Sequence, residues 1–293
     1  MAENDADHGE AAPFVRLGPE AAKSPVVLSV PHAGRAYSHS LLSASRLPQP
    51  QLETLEDRLV DKLVEPALAT GAVAIVAQRP RAEIDLNRDE REIDPAIVVP
   101  PPPLEALMPS ARMRGGLGLI PARISGAGPI WRHRIEGSEI GRRIREIHRP
   151  YHAALEAALR QARARFGVAI LLDCHSMPPR SASAGGQAEI VFGDLHGTTI
   201  APEYLDVALQ VARHAGFRTA CNVPYAGGFI TARHGQPVRG MHALQIEIDR
   251  SLYLADDMRT PGRGFERTGA LITQIVTVLG SAAAGQPQAI AAE

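Results

Sequence analysis

Short runs of β-branched and aliphatic residues in this chain end repeatedly in compact polar clusters. Pro31-His32-Ala33-Gly34 follows VVLSV, Asp85-Leu86-Asn87-Arg88 follows AEI, Asp173-Cys174-His175-Ser176 follows VAILL, and Gln245-Ile246-Glu247 lies near the end of an apolar run. Apolar runs of this length, separated by helical patterns, read as buried strands of an α/β fold whose central sheet is mostly parallel or mixed and is flanked by helices. In such sheets ligands bind at the carboxyl ends of strands, where loops bring together residues distant in sequence. Endings that carry two histidines, a carboxylate and an arginine therefore predict a site assembled along one sheet edge.

The spacing predicts strands over 26–30, 72–77, 83–86, 168–173, 189–192, 219–223 and 243–248. Between them, a helix over 51–69 presents Leu52, Leu55, Leu59 and Leu63 as a stripe, with a kink at Pro66 and a stop at Gly71. A longer helix over 138–166 buries Ile140, Ile144, Ile147, Tyr151, Leu155 and Leu159, is interrupted at Pro150 and is closed by Gly167. Helices over 202–215 and 264–279 complete the pattern. Residues 1–22 and 281–293 lack periodicity and read as flexible ends of a single catalytic domain over 23–280. Residues 89–137 form a Pro/Gly-rich excursion without clear periodicity, which reads either as a lid that shapes specificity or as a surface insertion.

Composition excludes several classes. An aromatic fraction of 4% and a formal net charge of -1 offer neither stacking platforms nor a basic field for nucleic acid. No apolar run reaches the ~18 residues of a membrane span, and the acidic, polar start does not read as a secretion signal, so the expected location is cytoplasmic. Oligomeric state has no signature here. With Cys174 and Cys221 as the only cysteines, a disulfide framework is excluded and any metal must rely on His, Asp and Glu.

His32 and His175 share the strand-end position. Either alone is ordinarily structural, but two imidazoles and one carboxylate with an open fourth position form the usual protein part of a hydrolytic zinc site. Glu53, Asp57, Asp61 and Glu65 stand at i, i+4 intervals on the predicted helix, either as a solvated face or as an acidic stripe opposed by a cation. Strand alternation puts Gln245, Glu247 and Asp249 on the face opposite Leu244, Ile246 and Ile248. There Glu247 is either a proton carrier or the partner of Arg250 or Arg233. Arg81 and Arg88, the latter beside Asn87, suit either a substrate carboxylate or a local network with Asp89, Glu90 and Glu92. Gly227-Gly228 would let backbone N–H groups approach a ligand. Cys174 points away from His175 on a strand, which argues against a Cys–His nucleophile.

In order along the chain, SVPHAG (29–34), EDRLVDKL (56–63), RAEIDLNRD (81–89), DCHS (173–176), PYAGGFITARHGQP (224–237) and HALQIEIDRSLY (242–253) resemble the N-formylglutamate amidohydrolase family. That family is similar in layout to zinc carboxypeptidases and aspartoacylase. The resemblance implies one divalent metal, zinc by preference, on His32 and His175; Asn87 and Arg88 as binders of a substrate carboxylate; Glu247 as proton shuttle; and Arg81 polarising the scissile carbonyl. It departs from the carboxypeptidase pattern at Arg35, three residues after the first histidine, where an acid is expected. The third ligand must then come from elsewhere: Asp57 matches an acid in the family's own segment and is the first choice, Asp61 the second. The implied activity is hydrolysis of a small N-acyl amino acid, N-formylglutamate above all. Another N-acyl amino acid or a short peptide is the nearest alternative, and a metal-free protein that binds small acids is the alternative of a different class.

Overall fold

In the structure, a computed structural model describing residues 11–179 and 187–285, seven strands form one mixed sheet. They are β1 (Phe14–Leu17), β2 (Val26–Val30), β3 (Val73–Ala77), β4 (Ala169–Met177), β5 (Ile190–Gly193), β6 (Thr219–Cys221) and β7 (Met241–Asp249). Their spatial order is β1-β3-β2-β4-β7-β5-β6. The central strands β3, β2, β4 and β7 are parallel, whereas β1 and β5 join them antiparallel. Consequently β2, β4 and β7 all end at the same edge.

Strand alternation sorts the side chains into two cores. One face carries Val26, Leu28, Val30, Ile170, Leu172, Cys174, Leu244, Ile246 and Ile248, packed with residues of the helices Pro202–His214 and Phe265–Ala284. The other carries Val27, Ile75, Leu171 and Ala243 beneath Tyr151, Leu155 and Leu159 of the helix Arg149–Phe166. Toward the strand ends this second face turns polar, with Asp173, His175, Gln245 and Glu247 all buried. The functional candidates thus extend an apolar core rather than decorate a surface.

The predicted long helix is present as Gly137–Arg143, a π-helical turn at Ile144–His148, and Arg149–Phe166. The wide turn just before Pro150 accommodates a residue that cannot donate to the preceding turn. Gly167, at φ 79°, closes the helix with its N–H on Arg163 O at 2.8 Å.

Other expectations are corrected. The helix predicted over 51–69 is broken: Gln49–Leu52 and Glu53–Leu55 end before Asp57, Leu59 is left-handed at φ 61°, and helix resumes only over Val60–Val64. The reason is tertiary, since Asp57 N–H is taken by His32 O at 3.0 Å instead of by its own helix. No strand forms at 83–86; Asp85 folds back to accept from Asn87 N at 2.9 Å, a side-chain turn that competes with extended backbone. Residues 14–17 are the edge strand β1 rather than part of a loose leader, and the last helix reaches Ala284. The rest of the expected flexible ends, 1–10 and 286–293, lies outside the described residues.

The excursion over 89–137 is folded onto the second core. Leu119, Ile120, Ile124, Ile130, Trp131 and Ile135 pack there, and Val98–Val99 pairs with Ile135–Glu136. Trp131 donates from Nε1 to Pro121 O at 2.8 Å and lies under the Arg143 guanidinium.

Candidate metal centre and active site

A cavity of about 470 Å³ opens where β2, β4 and β7 end, a volume suited to a small metabolite. His32, Asp57, Arg81, Asn87, Arg88, His175, Gly227, Gly228 and Glu247 all line it. Asp61 does not; it holds Arg35 through a two-pronged contact, with Arg35 Nη1 on Oδ1 at 3.0 Å and Nη2 on Oδ2 at 2.6 Å. The acidic stripe is thereby dissolved, because Glu53 faces Arg58 and Arg259 while Glu65 faces Lys62.

Three donor atoms converge at the cavity floor. His32 Nδ1 and His175 Nδ1 lie 3.1 Å apart, and Asp57 Oδ2 is 3.1 Å from the first and 3.0 Å from the second. Each imidazole is braced from behind: His32 Nε2 donates to Asp85 Oδ1 and His175 Nε2 to Asp173 Oδ2, both at 2.8 Å. With Nε2 holding the proton in both rings, both Nδ1 atoms present lone pairs to the same point and to a carboxylate. Such a cluster calls for a positive charge at its centre.

Electrostatics agree. Burial alone would lower the pKa of His175, but Asp173 and Asp57 overcome it and hold the imidazole well above its ordinary range. Burial would raise Asp57, yet its contacts with His175 and His32 hold it well below the usual carboxylate range. A buried His/Asp/His set of this kind can hold a divalent metal ion. The second oxygen of Asp57 is fixed by Arg250 Nη2 at 3.2 Å and Ser176 Oγ at 3.3 Å.

Glu247 sits beside His175 because β4 and β7 are in register there, as are Asp173 and Gln245. Its Oε1 accepts from Gln245 Nε2 at 3.0 Å. Burial, with Asp57 and Asp173 nearby, pushes its carboxyl up to about 7 despite His175 and Arg81. Arg250 is spent on Asp57, Ser176 and backbone carbonyls, so the alternative of a Glu247–Arg250 pair does not form.

Arg81 is anchored through Nε to Asp85 Oδ2 at 2.9 Å. Arg88 donates Nε to Leu117 O at 2.8 Å and Nη1 to its neighbour's carbonyl at 2.6 Å, while Nη2 stands 3.7 Å from Asp85. Of the local acids suggested for Arg88, Glu90 pairs instead with Arg149 and Asp89 with Arg91. Asn87 Oδ1 accepts from Ile230 N at 2.8 Å; its Nδ2 stands 3.3 Å from His175 Nε2, which cannot accept while it donates to Asp173, and 3.5 Å from Gln245 Oε1, which leaves donor capacity toward the cavity. Gly228 spends its N–H on Thr231 Oγ1 at 3.0 Å; a Cβ there would stand 2.4 Å from the Asn87 amide, so its value lies in close approach.

Sequence reading named Asp85 and Asp173 without giving them a part. Asp173 was within reach, because two residues along a strand share a face with His175; Asp85 required the tertiary fold. His148 and His152, whose Nε2 atoms hold Arg88 O and Leu86 O at 2.9 Å, gave no signal at all, though they pin the loop that carries Asp85, Asn87 and Arg88. Cys174 is buried in the opposite core with its thiol pushed well up by burial, so it is no nucleophile.

A mixed α/β sheet whose parallel strands end in a buried, carboxylate-braced His/Asp/His cluster defines an α/β protein with a residue set that could hold a metal ion beside a buried glutamate. The profile of the N-formylglutamate amidohydrolase family matches residues 24–254, and the chain belongs to that family. It is 28% identical over 242 residues to an N-formylglutamate deformylase of Pseudomonas putida, covering 79% of this chain and 82% of that one. To the N-formylglutamate deformylase of Pseudomonas aeruginosa it is 26% identical over 263 residues, covering 87% and 92%. The crystal structure of N-formylglutamate amidohydrolase from Ralstonia eutropha JMP134 superposes with a TM-score of 0.85 at 34% identity, covering 93% of this chain and 98% of that one.

Proposed function

We propose that this protein hydrolyses the amide bond of an N-formyl amino acid, N-formylglutamate above all, to formate and the free amino acid. The observation that carries this reading is the convergence of His32, Asp57 and His175 within 3.1 Å, each imidazole braced by a carboxylate, on the cavity that Glu247 also lines. A protein that only binds small acids has no use for two braced imidazoles. Family membership and the names of its relatives support the substrate.

His32, Asp57 and His175 would hold the ion, for which zinc fits two imidazoles and a carboxylate best. When bound, it supplies Lewis acidity that eases deprotonation of water and polarises a carbonyl. Glu247 accepts a proton from the water that adds to the formyl carbon, then delivers it to the amine nitrogen as the C–N bond breaks. Arg81, held by Asp85, stabilises the negative charge that develops on the carbonyl oxygen. Arg88 Nη2 and Asn87 Nδ2 hold the α-carboxylate and fix the amide over Glu247.

Metal analysis of the purified protein, combined with amine release from N-formylglutamate and with N-acetylglutamate and dipeptide controls, tests this reading. Stoichiometric divalent metal with turnover fastest on the N-formyl substrate is expected. Full activity in protein stripped of metal, or turnover confined to the dipeptide, would overturn it.

A further inference from the structure

Four arginines line the cavity; Arg81 and Arg88 serve the proposed chemistry and Arg250 holds Asp57, which leaves Arg112 without a part. Arg112, on the short helix Ala111–Arg114 of the excursion, lines it together with Arg81 and Arg88. Its guanidinium carbon lies 5.3 Å from the centre of the Tyr225 ring, on the loop that leads into Gly227-Gly228. Unlike Arg81 and Arg88, which share Asp85, Arg112 has no carboxylate partner among the described residues. Of the acids that line the cavity, Glu92 is the nearest to Arg112 in sequence, but it is taken by Asp89 N–H and the Ser110 hydroxyl. Crowding is real: burial first, and then Arg81 and Arg112, hold the Arg88 guanidinium below its ordinary range against the pull of Asp85 and Glu92.

The Arg88 side chain docks on the turn that carries Arg112. Leu117 N donates to Arg112 O at 2.8 Å, and Leu117 O accepts from Arg88 Nε at 2.8 Å. Ser110 caps the helix by accepting from Met113 N at 3.0 Å while donating to Glu92. The Arg88 guanidinium is thus fixed against the turn that carries Arg112, while the exposed Arg112 guanidinium is placed by the Tyr225 ring, so that two cations face one cavity.

We propose that Arg112, stacked on Tyr225, binds the side-chain carboxylate of a dicarboxylic N-formyl amino acid, while Arg88 and Asn87 take its α-carboxylate. This rests on the N-formyl amino acid reading above and assigns the excursion the choice of glutamate-like over neutral substrates. A carboxylate is favoured because the exposed Arg112 guanidinium can make a charge-assisted hydrogen bond with it that is about twice as strong as one to a neutral side chain.

The test compares wild type, Arg112→Gln and Arg112→Lys, all as metal-loaded protein, on N-formylglutamate and its uncharged counterpart N-formylglutamine. Wild type is expected to prefer the acid, and Arg112→Gln to lose ~10- to 100-fold in kcat/KM on N-formylglutamate through KM, the size of one lost charge-assisted hydrogen bond. Its kcat stays close to that of wild type, N-formylglutamine is turned over as before, and Arg112→Lys falls between. An unchanged acid-to-amide preference in Arg112→Gln overturns the inference. Calorimetric binding of glutarate against glutaramate to metal-free protein, neither of which carries an N-formyl group, gives a second readout. If wild type hydrolyses neither N-formyl compound, the proposed function fails, and the glutarate preference with its loss in Arg112→Gln still decides the part of Arg112. Equal binding of the two probes by wild type and variant rejects it.

Discussion

In the proposed reaction, Glu247 is a side chain that serves chemistry at the expense of stability. Unfolded, its carboxyl ionises in the ordinary range; folded, burial holds the proton to about 7 in the metal-free protein. As pH rises through that interval the native state must bury a charge that the unfolded state bears freely, so stability falls and stays lower above it. Metal-free Glu247→Gln should therefore be more stable than wild type at pH 8, by up to ~3 kcal/mol, with the gap closing toward pH 4, as read by urea unfolding. The same variant should retain metal and lose ~10²- to 10⁴-fold in kcat, the usual worth of a positioned proton carrier. A general base must be ionised to act, so kcat/KM of wild type should fall on the acid side, with its limb at or below about 7 because a bound cation favours the carboxylate. Behind the proposed ligands, Asp85→Asn and Asp173→Asn should each weaken metal affinity ~10- to 100-fold, measured by competition with a chelator, because the imidazole loses the charged, acceptor-only partner that fixes its tautomer.

At the level of elements, the excursion is where local pattern and tertiary fold disagree most. Its glycines and prolines erase any period, yet its apolar residues fill the core above the helix Arg149–Phe166. Trp131→Ala should cost ~3–5 kcal/mol in chemical denaturation, the range for emptying a packed aromatic site. A loosely attached insertion would show under ~0.5 kcal/mol, as exposed substitutions do. The segment 51–69 shows the converse. It has the composition and stripe of a helix, but Leu59 turns left-handed and Asp57 is drawn out of helical geometry to reach two histidines from different strands.

For the whole molecule, the converging ligands predict that metal loading and folding are coupled. Unfolded chain has no such cluster, so adding zinc to stripped protein should raise Tm in a concentration-dependent way and saturate at one ion per chain. The gain should shrink as pH falls, because protons compete for the imidazoles. Loss of that dependence in His32→Ala with His175→Ala would tie it to this cluster. Among the described residues no helix is long and apolar enough to cross a membrane.

Periodicity and strand-end chemistry made much of this protein legible. The alternation of Leu244, Ile246 and Ile248 against Gln245 and Glu247, the helical stripe through Tyr151, Leu155 and Leu159, and the polar endings after β2, β4 and β7 follow from backbone geometry that any chain must obey. Local rules of that kind act over a few residues, and they set which faces are apolar and which residues stand at the sheet edge. They could not choose between Asp57 and Asp61, four residues apart on a predicted helix, because the choice was made by His32 O, His175 and Arg250 on one side and Arg35 on the other. Nor could they pair Asp85 with His32, or bring Arg112 from the excursion to the same cavity as Arg88. Contacts of that range are settled only when the whole chain closes, since each buried charge must find its partner in three dimensions or give up its ionisation.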